Sequence, residues 1–263
     1  MNLVSIYTYL ETRFGRHTQK TGALFFILSR ILGASGRLYL AAGVIQFFVF
    51  DQIKSVHVPF WLSVSVILVL MLLYTYKGGI KTLVWTDTFQ SLFLVLGVVV
   101  SIAIIIDKMD IGFGQAITNI ASSDYSKTFF WDWHKPNFFV KEFIGGIFIA
   151  VAMTGLDQNM MQKNLSCKSL ADAQKNIFWF SIVMVIVNIF FLSLGVLLYQ
   201  YYAHAAIDLP MNAETGIIIT DKVFPNLALN HLGMFAGLIF IIGLTAATFS
   251  SADSVLTTLT TST

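Results

Sequence analysis

Charged residues and cysteine are both scarce in this chain of 263 residues. Only 11% of the residues are charged and 56% are hydrophobic, whereas soluble domains carry about 25% charged residues. The formal net charge is only +2 and no basic run accompanies it, so no nucleic-acid partner is indicated. The one cysteine, Cys167, excludes a disulfide within the chain and a cysteine-based metal site. This composition predicts a polytopic membrane protein.

Sequence motifs of soluble enzymes are missing as well. The chain contains no P-loop, no dinucleotide-binding glycine fingerprint, no GxSxG and no HExxH. Its five histidines show no metal-ligand spacing. Residues 1–20 are charged and polar, so we expect no cleavable signal peptide. We therefore predict that the protein is not an enzyme and binds no enzyme cofactor.

Long apolar runs, by contrast, are frequent. A membrane-spanning helix needs about 20 mostly apolar residues, and six stretches qualify, at roughly 22–50, 58–76, 80–106, 138–160, 177–201 and 231–259. They are continuous apolar blocks without ten-residue alternation, which favours helices over a β-barrel. The predicted fold class is an all-α polytopic membrane protein with about six transmembrane helices.

The loops between these spans differ in their Lys and Arg content. Eight such residues precede the first span or lie in loops on the same side, against six in the opposite loops, where acidic residues offset them. The first group is concentrated in short segments, which carry most weight in the positive-inside rule. We therefore expect both ends of this segment in the cytoplasm.

The two long loops on the predicted outer side, 107–137 and 202–230, are more than linkers. The stretch TFFWDWHKPNFF in the first is rich in aromatic residues, as is typical of a belt at the membrane interface. The stretch LPMNAETGIIITDKVFPNLALN in the second has enough apolar residues for a short helix lying on the outer surface.

Five charged side chains are predicted to lie at membrane depth: Arg30, Arg37, Asp87, Asp157 and Asp253. Charges at membrane depth are costly and usually face a partner or a cavity. Arg30 and Arg37 are seven residues apart and share a helix face, and the structural interpretation is that they pair with carboxylates. Asp253 is a candidate partner for either.

Two distant segments place polar groups at one depth. The third span starts near Ile80 at its predicted cytoplasmic end, so Asp87 lies about 10 Å inside at a rise of 1.5 Å per residue. The last span runs the other way and ends near residue 260, which puts Ser250, Ser251 and Asp253 at a similar depth.

The last span also carries a stripe of small and hydroxyl residues, Ala247, Ser250, Ser251 and Ser254, at i, i+3, i+4 and i+7. Such a stripe is typical of close packing between membrane helices. It also suits a hard cation such as Na⁺, which prefers oxygen ligands, and Asp87 would supply the countercharge. Both interpretations stay open on this pattern alone.

The fourth span ends in TGLDQ, with glycine at Gly155 and a carboxylate at Asp157. Helices interrupted by glycine line the solute sites of many secondary transporters. Alternatively, these residues mark the place where the helix leaves the membrane. The two interpretations are equally compatible with the sequence.

At YTYKGGIKTLVWTDTFQ (74–90) the chain resembles the sodium:solute symporter family, which includes the sodium/glucose, sodium/proline and sodium/sialic acid cotransporters. Three further segments are similar to this family: SIYTYLETRFGR with RLYLAAGV, then DQNMMQKNLSCKSLADAQK, then AATFSSADSVLTTLTTS. The four motifs stand in the family's order and cover nearly the whole chain.

The resemblance implies a LeuT-like core of ten helices, built from two inverted repeats of five. The match places the six spans at core helices three to eight. Residues 1–263 would then form a single transporter domain that lacks the first two and the last two core helices. We therefore expect a fragment of a longer protein, in which neither repeat is complete.

The resemblance also implies site residues. The family's shared sodium site takes oxygens from the pattern AAxxSS, which matches the carbonyl of Ala247 and the hydroxyls of Ser250 and Ser251. The other ligands of that site come from the first core helix. Some members have a further sodium site near the aspartate of WTD, here Asp87, with the same two serines.

A solute contact is implied at Asp157, with Gln158 beside it, where sugar-transporting members contact their substrate with a polar residue. Those members also use a lysine on core helix seven. The corresponding position here is Met184, a departure that counts against a sugar bound in the same way.

The function implied by the resemblance is Na⁺-coupled symport of a small polar solute into the cell, across the plasma or inner membrane. A sugar, a sugar acid, an amino acid or an organic anion would qualify as the solute, and Na⁺ is the coupling ion. An alternative from another class is a membrane module without transport, such as the membrane domain of a sensor or a truncated, nonfunctional symporter.

Overall fold

The structure, a computed structural model, describes residues 6–51, 58–75, 79–155, 157, 160, 164 and 167–262. Within these residues it is helical, and its β-structure is limited to an isolated bridge between Met211 and Ile218. The helices, in chain order, are α1 (Ile6–Phe14), α2 (Arg16–Ile45), α3 (Phe60–Thr75), α4 (Gly79–Lys108), α5 (Phe113–Ser122), α6 (Phe139–Gly155), α7 (Leu170–His204), α8 (Thr220–Asn230) and α9 (Met234–Ser262). A π-helical turn, Gln46–Phe50, continues α2.

The predicted all-α fold class is confirmed, and a helix occupies each of the six predicted spans. Among the described residues, three helical segments are long and apolar enough to cross a membrane: Arg16–Ile45, Asp87–Lys108 and Leu170–His204. Two shorter helical segments are also apolar: Phe60–Leu70 in α3 and Met234–Thr248 in α9. Large apolar side chains such as Leu73 (71% exposed) and Leu192 (71%) face outward, as expected of surfaces that contact lipid tails.

The chain divides into two compact units. Unit 1 comprises Met1–Leu32, Asp124–Ile186 and Ser254–Thr263, and unit 2 comprises Gly33–Ser123 and Val187–Asp253. The assignment of the chain to a single transporter domain stays a prediction.

In unit 1, α1 folds back on the first turns of α2. Gly15 has a φ of +87°, a left-handed conformation that glycine adopts without a steric penalty and that separates the two helices. The ring of Tyr7 then packs 5.6 Å from that of Phe26 and is only 7% exposed. Burial raises the pKa of Tyr7 to about 12, against the opposing effect of the Arg30 charge. The phenol of Tyr7 is therefore neutral at physiological pH.

The predicted aromatic belt in unit 1 forms a cluster of exposed rings before α6. Phe139 lies 4.8 Å from Phe129 and 5.6 Å from Trp131 between ring centroids. Trp131 and Trp133 are 68% and 74% exposed. Rings in this position suit the membrane interface, because one part of each side chain is apolar and the indole N–H is polar.

The core of unit 2 is built by α4, α7, α8 and α9. Ile105, Leu197 and Leu227 are fully buried there. The hydroxyl of Tyr202 donates to the carbonyl of Val223 (2.9 Å) and accepts from Asn226 Nδ2 (3.0 Å). The helix predicted in the second outer loop therefore forms as α8, and its apolar face packs into this core. Its place at the outer surface stays a prediction.

Candidate ion and solute sites

Helices α4 and α9 approach each other closely in unit 2, at two glycines. A Cβ atom built on Gly97 would lie 3.5 Å from Ile239 Cγ2, and one built on Gly243 would lie 3.7 Å from the carbonyl oxygen of Phe93. Small residues allow membrane helices to approach in this way. Residue 97 on α4 meets residue 239 on α9, whereas the earlier residue 93 meets the later residue 243. Helices α4 and α9 are therefore antiparallel.

This register brings the predicted sodium ligands to one level. Asp87 lies ten residues before Gly97, and Ser250 lies eleven residues after Ile239. Regular helices rise equally per residue, so Asp87 lies within about one residue of the level of Ser250. The side chains of Ser250, Ser251 and Asp253 fall outside the described residues, although the helix backbone continues to Ser262.

Gln90, about one turn along α4 from Asp87, is a further candidate ligand that was not predicted from the sequence. Its Oε1 atom is buried and finds no hydrogen-bond partner among the described residues. Asp87, Gln90, Leu94 and Gly97 follow the spacing i, i+3, i+7 and i+10, which places them on the face of α4 that contacts α9. Gln90 lies within about one residue of the level of Ala247. The signal was its position three residues after Asp87, in WTDTFQ.

Two other hydroxyls on α9 are already satisfied by their own helix. Thr245 Oγ1 donates to the Ile241 carbonyl at 2.7 Å, and Thr248 Oγ1 donates to the Leu244 carbonyl at 2.8 Å. Such bonds to the residue four positions earlier are the usual way for a threonine to be accommodated in a helix. These two hydroxyls therefore have a structural role.

A cavity of about 390 Å³ lies within unit 2, between α2, α8 and α9. Its lining is mostly apolar and includes Phe224 and Phe240, with polar groups contributed by Arg37, Thr220, Asp221 and Thr248. Ala247 also lines it. An apolar pocket of this size with a few polar groups is typical of a small-molecule site.

Arg37 is the cation of this cavity. Its Nε donates to the carbonyl of Gly33 at 3.2 Å, which holds the guanidinium along α2. Within the described part of the chain, no carboxylate lies at ion-pair distance from Arg37. The expected pairing of Arg37 with a described carboxylate is therefore not found, and its remaining donors suit an anionic ligand.

In unit 1, Arg30 forms an ion pair with Asp157. The two side chains are 22% and 15% exposed, and Arg30 also lies over the ring of Phe26 at 5.2 Å. The expectation that Arg30 pairs with a carboxylate is confirmed, and its partner is Asp157, the residue for which the family resemblance implies a solute contact. The candidate partner predicted from the sequence, Asp253, has its side chain outside the described residues.

Asp157 has a second structural contact. Helix α6 ends at Gly155, and Asp157 Oδ1 accepts a hydrogen bond from the Met160 amide at 3.2 Å. An aspartate that accepts from the amide three residues later resembles a helix N-cap. Gln158, the predicted solute contact beside Asp157, lies outside the described residues.

Comparison with known proteins identifies relatives along the whole chain. The model of the sodium:solute symporter family matches residues 1–263. The chain is 27% identical over 257 residues to the sodium/sialic acid symporter NanT of Aliivibrio fischeri, which covers 97% of this chain and 48% of the relative. It is 26% identical over 261 residues to the human sodium-coupled monocarboxylate transporter 1, covering 97% and 40%.

A solved structure of a Na⁺-coupled sialic acid symporter, in a substrate-bound outward-open state, has a similar fold. It matches with a TM-score of 0.84 at 24% sequence identity, covering 98% of this chain and 52% of the other. The chain thus spans about half the length of the relatives that it matches. The resemblance found in its motifs is confirmed, and this chain belongs to the sodium:solute symporter family.

Proposed function

We propose that the protein containing this chain is a Na⁺-coupled symporter of a small organic anion. The observation that carries the proposal is the level at which α4 and α9 meet: Asp87 and the unpartnered oxygen of Gln90 lie opposite the predicted ligands on α9. Transport, and not catalysis, is the activity that we assign. The alternative of a non-transporting membrane module finds no support among the relatives, which are transporters by name.

The proposed ion site combines oxygens from two helices. Asp87 and Gln90 supply a carboxylate and an amide oxygen from α4. Ala247 supplies a backbone carbonyl, and Ser250 and Ser251 supply hydroxyls, from α9. These are the hard oxygen ligands that an alkali cation prefers, and a single carboxylate balances a single positive charge.

The proposed solute position is the cavity of unit 2. Two named relatives act on sialic acid and on monocarboxylates, and both solutes carry a carboxylate. The Arg37 guanidinium can bind a carboxylate through two parallel hydrogen bonds, beside the apolar lining of the cavity. Ala247 belongs to both the cavity and the proposed ion site, which supports direct coupling between ion and solute.

Coupling then follows as a reciprocal free energy between two adjacent sites. Na⁺ held between α4 and α9 would favour the outward-open state and hold the cavity in its solute-binding form. Closure of the outside and opening of the inside would follow, with release of Na⁺ and solute into the cytoplasm. The bilayer location and the cytoplasmic placement of both ends belong to this proposal, on the evidence of the Lys and Arg distribution.

The solute contact predicted at Asp157 and Gln158 stays a prediction. The Asp157 carboxylate is engaged by Arg30 and by the Met160 amide. A solute that uses Asp157 would therefore have to share it with Arg30, which favours a ligand with hydroxyl donors at that end.

The proposal is tested by uptake of labelled carboxylates in the full-length protein, with Na⁺ compared against K⁺. Uptake should require Na⁺, and Ser251→Ala should raise the half-saturating Na⁺ concentration about tenfold or more, equivalent to about 1.4 kcal/mol of ion binding. Thr245→Val is the matched control, because that hydroxyl is satisfied within α9. Equal uptake in Na⁺ and K⁺ would refute symport, and an unchanged Na⁺ curve in Ser251→Ala would refute the site.

A further inference from the structure

Gln46 occupies an unusual position at the outer end of α2. It begins the π-helical turn Gln46–Phe50, in which the amide of Asp51 donates to the Gln46 carbonyl at 2.9 Å. A π turn fits one extra residue into the helix, and such turns occur frequently at functional sites. The Gln46 side chain is only 9% exposed, so its polar groups must find partners within the protein.

Every hydrogen-bonding group of the Gln46 amide is used. Nε2 donates to Asp51 Oδ1 and to the Val58 carbonyl, both at 2.7 Å. Oε1 accepts from the hydroxyl of Ser63 at 2.6 Å, and Ser63 is 2% exposed. One side chain thus joins α2, its connection to α3, and α3 itself.

The π turn packs against α8, and one contact is specific. The ammonium group of Lys222 lies 4.4 Å from the centroid of the Phe47 ring, a favourable cation–π distance. The neighbouring α8 residues Thr220, Asp221 and Phe224 line the cavity. The contact between Phe47 and Lys222 therefore lies beside the α8 residues that form one wall of the proposed solute site.

We propose that Gln46 is a positioning residue for the solute cavity: its amide holds the π turn, which keeps Phe47 under Lys222 and so fixes α8 as a wall of the cavity. The inference rests on the proposed function for its effect on transport, but its effect on α8 is independent of transport. In an α-helix each residue is rotated by about 100° around the helix axis relative to the residue before it. Return of the π turn to α-helical geometry would therefore turn Phe47 away from Lys222.

The first test measures the accessibility of α8 without any transport assay. In the full-length protein with Cys167→Ser, Thr220→Cys is labelled by a membrane-impermeant maleimide. Gln46→Leu should raise the labelling rate several-fold, and Lys222→Met should raise it similarly. Gln115→Leu, an exposed glutamine of unit 2 on α5, is the control for the chemical change. Equal labelling rates in all variants would overturn the proposal.

The second test separates solute binding from turnover. Gln46→Leu and Lys222→Met should each raise the KM for the solute several-fold with kcat close to that of the parent protein. Lys222→Arg, which keeps the cation over the ring, should restore the parent KM, whereas Lys108→Met is a neutral control. The double variant should be no worse than Lys222→Met alone, because both residues act through the same contact.

These two readouts separate the two proposals. A change in labelling without any Na⁺-dependent uptake in the parent protein would refute the proposed function and retain the role of Gln46 in fixing α8. Unchanged KM and unchanged labelling in Gln46→Leu would refute the inference and leave the proposed function standing.

Discussion

A buried amide oxygen without a hydrogen-bond partner costs about 1–3 kcal/mol, and Gln90 carries such an oxygen on the face of α4 that contacts α9. Leucine would fill a similar volume without that cost. The presence of glutamine is explained if a cation completes the coordination. Asp87 is charged and stands out in a hydropathy profile, whereas Gln90 is neutral. Its position three residues after Asp87 is only a weak signal, and its burial and missing partner make it a candidate ligand.

Gln90→Leu should weaken Na⁺ binding without destabilising the protein. The half-saturating Na⁺ concentration should rise about tenfold, the equivalent of about 1.4 kcal/mol. The thermal midpoint in Na⁺-free buffer should stay the same or rise, because an unsatisfied polar group is removed. Gln115→Leu serves as the control. A lower midpoint with an unchanged Na⁺ curve would show that Gln90 is structural.

For single substitutions in the Arg30–Asp157 pair we expect a loss of stability, unlike for Gln90→Leu. Arg30→Met or Asp157→Leu alone leaves an unpaired charge in a largely buried place and should cost about 3 kcal/mol. The double variant Arg30→Met/Asp157→Leu should cost less than the two single costs added together. Thermal unfolding in detergent measures all three, with Arg13→Met, at an exposed arginine of α1, as the control. Strict additivity would show that the two charges are not coupled.

At the level of helices, much was predictable from the sequence. The six spans follow from continuous apolar blocks, and the similar level of Asp87 and Ser250 follows from the helical rise. The π turn at Gln46 was not predictable, because its stability comes from Asp51, Val58 and Ser63, which are brought together by tertiary structure. The partner of Arg30 was not predictable for the same reason, since Asp157 is distant in sequence.

The close approach of α4 and α9 predicts a size limit at Gly243. Gly243→Ala should be tolerated, since its Cβ would lie 3.7 Å from the Phe93 carbonyl oxygen, an ordinary contact. Gly243→Leu should force the helices apart, cost about 1–3 kcal/mol and weaken Na⁺ activation. Thermal unfolding and Na⁺ titration of uptake measure both effects. Gly195→Leu is the control, because a Cβ on Gly195 meets nothing within 4 Å. Equal effects at both glycines would contradict a specific contact.

At the scale of the whole molecule, family membership was evident from four motifs in order, and the comparisons confirm it over residues 1–263. The cavity of unit 2 was not predictable, because its lining combines α2 with α8 and α9, which lie far from α2 in the sequence. Hydropathy indicates only roughly where Arg37 lies along its span. The residues that surround its side chain are brought together only when unit 2 folds.

The proposed orientation is tested by thiol accessibility in intact cells. Cys167 lies on the predicted cytoplasmic side and should react with an impermeant maleimide only after permeabilisation. Ser126→Cys, in a Cys167→Ser background, lies in the predicted outer loop and should react in intact cells. The reverse pattern would show that the segment has the opposite orientation, and equal labelling before permeabilisation would contradict the predicted topology.

The antiparallel register of α4 and α9 has a consequence for changes in chain length. One residue inserted between Gln90 and Gly97 would leave composition and hydropathy almost untouched. It would nevertheless rotate Asp87 and Gln90 by about 100° relative to the contact at Gly97 and displace them by 1.5 Å, so both oxygens would leave the face toward α9. The same insertion in the loop after α4 would be absorbed. Homologous proteins should therefore vary in length in that loop, while the stretch from Asp87 to Gly97 keeps a constant number of residues.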